Sequence, residues 1–145
     1  MNENEIITNL WIGNRNTAKN DTFLNMYKIE LIVNATKDIP FINETGRIKN
    51  VRIPVDDHPN DSETLYKFLD VIADTIHRYL NADKAVLVHC HAGIQRSATI
   101  VASYLMKYGG LMADDAIKAI KSKRKVCFTP SANFRYQLIQ YQHTL

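Results

Sequence analysis

Apolar positions along the chain follow two periods, and the points where the period changes mark the elements. Ile6 to Ile12 alternates and breaks at Gly13-Asn14, which predicts a short edge strand or hairpin. Asn20-Asp21 offers a cap for a brief helix carrying Phe23, Leu24 and Tyr27. The β-branched run Ile29 to Val33, ending at Asn34-Ala35-Thr36, predicts an inner strand. A loop over Lys37 to Arg47, with Pro40 and Gly46, leads to another strand at Ile48 to Ile53. From Ser62 to Leu80 the residues Leu65, Phe68, Leu69, Ile72, Ile76 and Leu80 fall at helical spacing, with Asp61 or Ser62 as the cap and His77 at the surface or boundary. Ala85 to Val88 is wholly apolar, a strand that needs helices on both faces.

Three more helices follow. Ala98 to Lys107 turns Ile100, Val101, Tyr104 and Leu105 inward and stops at Gly109-Gly110, and Ala113 to Ser122 turns in Ile117 and Ile120. The last runs through Phe134, Leu138 and Tyr141, with Thr129 as N-cap and Pro130 in the first turn. The predicted architecture is a single three-layer α/β domain, a central mostly parallel sheet of about five strands flanked by helices.

Composition narrows the class. At 145 residues, 46% hydrophobic and 23% charged, the chain makes one domain over residues 1–145 with one good core, free of repeats and low-complexity segments. A net charge of +3 suits a phosphorylated ligand and does not by itself argue for nucleic acid. Two cysteines make no disulfide framework, so a reducing compartment is expected. The polar, acidic Met1 to Glu5 is unlike a signal peptide, and no apolar run reaches membrane-spanning length. These readings predict a cytoplasmic protein that could also enter the nucleus. With so few residues before the first core strand, a monomer is expected.

The chemistry concentrates in His89-Cys90-His91-Ala92-Gly93-Ile94-Gln95-Arg96-Ser97, between the apolar strand and the helix after it. A buried strand that passes through a short loop into a helix aims backbone N–H groups at an anion. A thiol at that mouth, beside Arg96, is pushed from about 8.5 to roughly 3.5–7.5, so Cys90 becomes a nucleophilic thiolate at neutral pH. The residues His91, Ala92, Gly93, Ile94 and Gln95 can curl round a phosphate while Arg96 grips two of its oxygens in a planar fork. Gly93 allows the positive φ such a ring requires. Ser97 places a hydroxyl where it can hydrogen-bond the sulfur and help it leave. The bland alternatives are a buried structural cysteine with a solvated arginine, or a His-Cys-His metal clip, which lacks the remaining ligands of a closed site. No metal and no cofactor is expected.

Cys-x5-Arg preceded by His and followed by Ser resembles the signature of the cysteine-dependent protein tyrosine phosphatases, and Ser-Ala-Thr at 97 to 99 is similar to the small dual-specificity branch. Leu-Trp-Ile-Gly at 10 to 13 and Ile-Val-Asn-Ala-Thr at 32 to 36 resemble that branch's opening strands. The resemblance implies a protein tyrosine phosphatase-like fold and hydrolysis of phosphotyrosine and phosphoserine or phosphothreonine through a phosphocysteine intermediate. It also implies a general acid on a separate loop, three residues after the Pro that closes the third strand, which is Asp57. The adjacent Asp56 stays open as an alternative. His89 would support the loop from beneath, and His91 is given no catalytic role.

The chain departs from the family pattern at Gln95, where Ser is usual, and after Pro130, where Ser131 stands in place of Asn and Asn133 comes two residues later. The brace that this Asn gives the loop is thereby in question. The basic run Lys121 to Lys125 reads either as a solvated face or as attraction for phosphorylated substrate. A short chain implies a shallow pocket and a phosphorylated protein as partner, with no nucleic acid and no membrane. The rival readings are an RNA 5′-triphosphatase or phosphoinositide phosphatase on the same scaffold, or a phospho-binding module without turnover.

Overall fold

A computed structural model describes residues 2–42 and 46–145. The first expected strand is a hairpin. β1 (Glu3–Ile7) pairs antiparallel with β2 (Leu10–Gly13), and Asn9 turns the chain at φ 69°. Two short helices, α1 (Arg15–Ala18) and α2 (Asp21–Met26), lead into β3 (Ile29–Asn34), and β4 (Lys49–Arg52) follows the loop at 35–48, of which residues 43–45 lie outside the described residues. A single 3₁₀ turn, Pro59–Asp61, precedes α3 (Ser62–Asn81). The remaining elements are β5 (Ala85–His89), α4 (Arg96–Gly109), α5 (Ala113–Lys123) and α6 (Arg135–Gln142).

The sheet order is β1-β2-β5-β3-β4, and every pair except β1·β2 is parallel. The architecture is thus the expected mostly parallel five-stranded sheet between helices. β5 lies at the centre, and like its neighbours β2 and β3 it is apolar on both faces. Val86 and Val88 join Leu10, Ile12, Leu31 and Val33 in a core shared with α3–α6, while Ala85 and Leu87 join Trp11, Ile32, Phe23 and Leu24 on the α2 side. Strand period two sorts each strand's residues between these layers. Trp11, Phe23 and Tyr27 close the smaller layer, with ring centroids 4.6–5.2 Å apart.

Several helix ends differ from expectation. α1 was not legible in apolar spacing, because four residues show no period; it forms on a capping box between Asn14 and Thr17. α3 is not capped by the Asp61 side chain, whose Oδ2 instead accepts the Asp56 N–H at 2.7 Å and pairs with Lys37 at 2.9 Å, and the Ser62 hydroxyl donates back to the Pro59 carbonyl. Thr129-Pro130 does not open the last helix. That peptide is cis, the Thr129 hydroxyl donates to the Val126 carbonyl, and α6 starts only at Arg135. Gly110 closes α4 at φ 70°, as the paired glycines predict, and Phe134, Leu138 and Tyr141 are all buried. Among the described residues no helix is long and apolar enough to cross a membrane.

Candidate active site

Register brings Gly13, Asn34 and His89 side by side at the carboxyl ends of the parallel strands β2, β3 and β5. The loop from Cys90 to Gln95 leaves the sheet at this point, where parallel α/β sheets place their ligands.

Each carbonyl of the loop has a partner outside the ring. The oxygen of Cys90 faces His89 Nδ1 at 3.3 Å, and that of His91 accepts the Arg15 N–H at 3.1 Å. The Ala92 oxygen accepts from Arg124 Nη2 at 3.3 Å, and the Gly93 oxygen from Arg124 Nε at 2.9 Å and the Cys127 thiol at 3.7 Å. Ile94 and Gln95 complete the ring, their oxygens accepting from the Phe128 N–H and from the Thr99 N–H and hydroxyl. With carbonyls held outward, the amides are left to the bowl, and the N–H groups of Gly93 and Ser97 bear on the sulfur. Gly93 has φ +68°, and a Cβ there would meet the Gly13 carbonyl oxygen at 2.6 Å. No other residue fits that position.

Cys90 is buried at this mouth, with its sulfur 3.3 Å from the Ser97 hydroxyl. Burial pushes its thiol up, yet the Ser97 hydroxyl and N–H, the Arg96 charge and the Gly93 N–H together bring it below the ordinary thiol value. The second cysteine makes the contrast. Buried Cys127 is pushed up to about 11, chiefly by desolvation. Arg96 is also buried; its Nη1 donates to the Val55 carbonyl at 2.9 Å, while Nε, out of reach of solvent, has no protein partner among the described residues. The fork is fixed at one corner and keeps donors for an anion.

Of the two candidate acids, only Asp57 borders the same pocket of about 320 Å³ as Cys90, Arg96 and Gln95. Asp56 turns away to pair with Lys37 at 3.3 Å. The Asn133 side-chain amide donates to both oxygens of Asp57, at 3.0 and 3.3 Å, so the displaced Asn braces the loop that carries Asp57. His89 is buried beside the Cys90 carbonyl; burial lowers its pKa to about 4, the contact to that carbonyl opposing the shift and the nearby Arg52, His91 and Arg96 charges adding to it. His91 stands on the rim with Nε2 2.9 Å from Asp38 Oδ1, a contact that holds the Asp38 carboxyl below its usual value.

Sequence reasoning missed Arg124. Within the basic run it is the buried member, turned under the loop, while Lys121 donates to the Cys127 carbonyl, and Lys123 and Lys125 are exposed. Five successive polar residues carry no signal of which one is inside. Asp38 was missed as well, since nothing in the spacing couples it to His91.

A family model described as the dual specificity phosphatase catalytic domain matches residues 10–144. Human dual specificity protein phosphatase 14 is 37% identical over 141 residues, covering 97% of this chain and 69% of that protein. Protein 123R of Invertebrate iridescent virus 6, named as a presumed tyrosine phosphatase, is 37% identical over 145 residues, covering 100% of this chain and 95% of the viral one. Among solved structures, human DUSP28 superposes with a TM-score of 0.89 at 26% identity, over 99% of this chain and 95% of that one.

Proposed function

Because the chain belongs to the dual specificity phosphatase catalytic-domain family and is a cysteine-dependent protein phosphatase, we propose that Cys90, Arg96, Asp57 and Ser97 carry its reaction on phosphorylated proteins. The Cys90 thiolate attacks phosphorus in line, forming an S–P bond as the bond to the side-chain oxygen breaks. Asp57, protonated, gives its proton to that departing oxygen. Arg96 and the amides of residues 91–96 hold the equatorial oxygens, where negative charge concentrates at the transition state. Water then attacks phosphorus, losing its proton to the Asp57 carboxylate. The S–P bond breaks, and the sulfur leaves as a thiolate stabilised by the Ser97 hydroxyl.

The observation that carries this reading is the shared pocket. A buried thiol held below its ordinary pKa, an arginine whose buried Nε has no partner among the described residues and a braced carboxyl border one space of about 320 Å³. A shallow pocket takes phosphoserine and phosphothreonine as well as phosphotyrosine. Residues 1–145 then act as one catalytic domain, monomeric, in the cytoplasm or nucleus, where both free thiols stay reduced. The test is phosphate release from matched phosphotyrosine and phosphothreonine peptides and from a 5′-triphosphate RNA, with Cys90→Ser alongside. Turnover of both peptides by the wild type alone supports the reading; turnover of the RNA alone would overturn the substrate.

A further inference from the structure

Gln95 is the last residue of the loop before Arg96, and its carboxamide reaches across to the segment between α5 and α6. Nε2 donates to the Ser131 carbonyl at 2.8 Å and the Thr129 carbonyl at 3.2 Å, and Oε1 accepts the Asn133 N–H at 3.0 Å. Both donors and the acceptor are used, and the residue is only 4% exposed. Asn133 in turn spends its side-chain amide on the two oxygens of Asp57. One residue therefore receives the phosphate loop through its backbone and holds the acid through its side chain.

We propose that Gln95 and Asn133 are positioning residues that set Asp57 from the phosphate loop itself, so that the acid and the thiolate are held in one frame. The inference rests on Asp57 being the general acid. The segment from Pro54 to His58 has no helix or strand to fix it, and Asp57 is exposed. An unheld carboxyl there samples several rotamers, and a misplacement of about 1 Å can cost on the order of 10² in rate. A carboxamide suits the task better than a cation. Its N–H₂ donates to the carboxyl whether or not the other oxygen carries a proton, so the same contact serves the acid step and the base step. A lysine would favour the ionised form and oppose the first step. The arrangement also joins the two departures from the family pattern. A Ser at 95 is too short to span to residues 129–133, and the Asn at 133 is the residue whose N–H the longer Gln side chain meets.

The test is a double-mutant cycle. Gln95→Ala and Asn133→Ala are made in the wild type and in Asp57→Asn, and kcat and KM are measured with a phosphothreonine peptide and with an aryl phosphate whose phenol leaves readily. Asn133→Ala is expected to lower kcat on the peptide about tenfold with KM held, and to cost less than about twofold on the aryl phosphate or in the Asp57→Asn background; Gln95→Ala, within the binding loop, is expected to cost several-fold more on the peptide than on the aryl phosphate, a difference that Asp57→Asn removes. An equal loss in both backgrounds would overturn the relay, since these residues would then act on the loop and not through the acid. If Asp57→Asn alone left the peptide rate unchanged, the reading of Asp57 would be what fails, and the relay would fall with it. Asn133→Ala removes an exposed contact and keeps the test open whatever Gln95→Ala does to folding.

Discussion

Arg124 Nε lies 2.9 Å from the carbonyl oxygen of Gly93, and through that bond a residue 31 positions away turns the phosphate loop's peptide so that its N–H faces inward. The guanidinium also reaches the Ala92 carbonyl and Asn4 Oδ1, at 3.3 and 2.9 Å. Arg124→Met leaves the buried Gly93 carbonyl with only the weak Cys127 thiol as donor and takes Arg124's donors from the Ala92 carbonyl and Asn4. It should cost about 2–3 kcal/mol of stability in urea unfolding and about a hundredfold in kcat/KM. A variant with wild-type activity would show that the loop holds its shape unaided.

Ser97→Ala removes a hydrogen bond that opposes the effect of burial on Cys90. The thiol's pKa should rise, so the acid limb of kcat/KM moves to higher pH. The sulfur also becomes a poorer leaving group. Breakdown of the phosphoenzyme should slow by about ten- to a hundredfold, visible as a burst of the first product in stopped flow. An unmoved acid limb and no burst would remove Ser97 from the mechanism.

His89 predicts a pH window for stability. Its folded pKa of about 4 lies below the unfolded value of 6.5, so between these the unfolded chain binds the extra proton. The stabilising contribution is complete above pH 6.5 and is lost as pH falls toward 4, roughly 3 kcal/mol in all. Asp38, Asp61, Asp70, Asp74 and Asp114 have lowered values, so their contributions are lost only below the carboxylate range. Urea unfolding at pH 7 and pH 4.5 should therefore differ strongly in the wild type and much less in His89→Gln. Equal slopes in both would contradict the assignment.

Much of this was legible in the sequence where one residue's environment depends on its neighbours in the chain. β5, β3 and α3 follow from apolar runs and spacing, and the loop's place between β5 and α4 from nine consecutive residues. What escaped depends on long-range closure. Arg124 is buried because the loop's carbonyls need donors, and Asn133 meets Asp57 across 76 positions. Local cap rules failed at Asp61 and at Thr129-Pro130 for the same reason. Asp61 is drawn to Lys37, and residues 129–133 are drawn to Gln95. In both places the tertiary contact overrides the local preference.

The most direct measurement is mass analysis of enzyme quenched in acid during turnover of the phosphotyrosine and phosphothreonine peptides. The account predicts one phosphoryl group on the Cys90-containing peptide with either substrate, more of it in Ser97→Ala and none in Cys90→Ser. Phosphate release from both peptides with no phosphoryl group ever found at Cys90, or with Cys90→Ser still active, would contradict it.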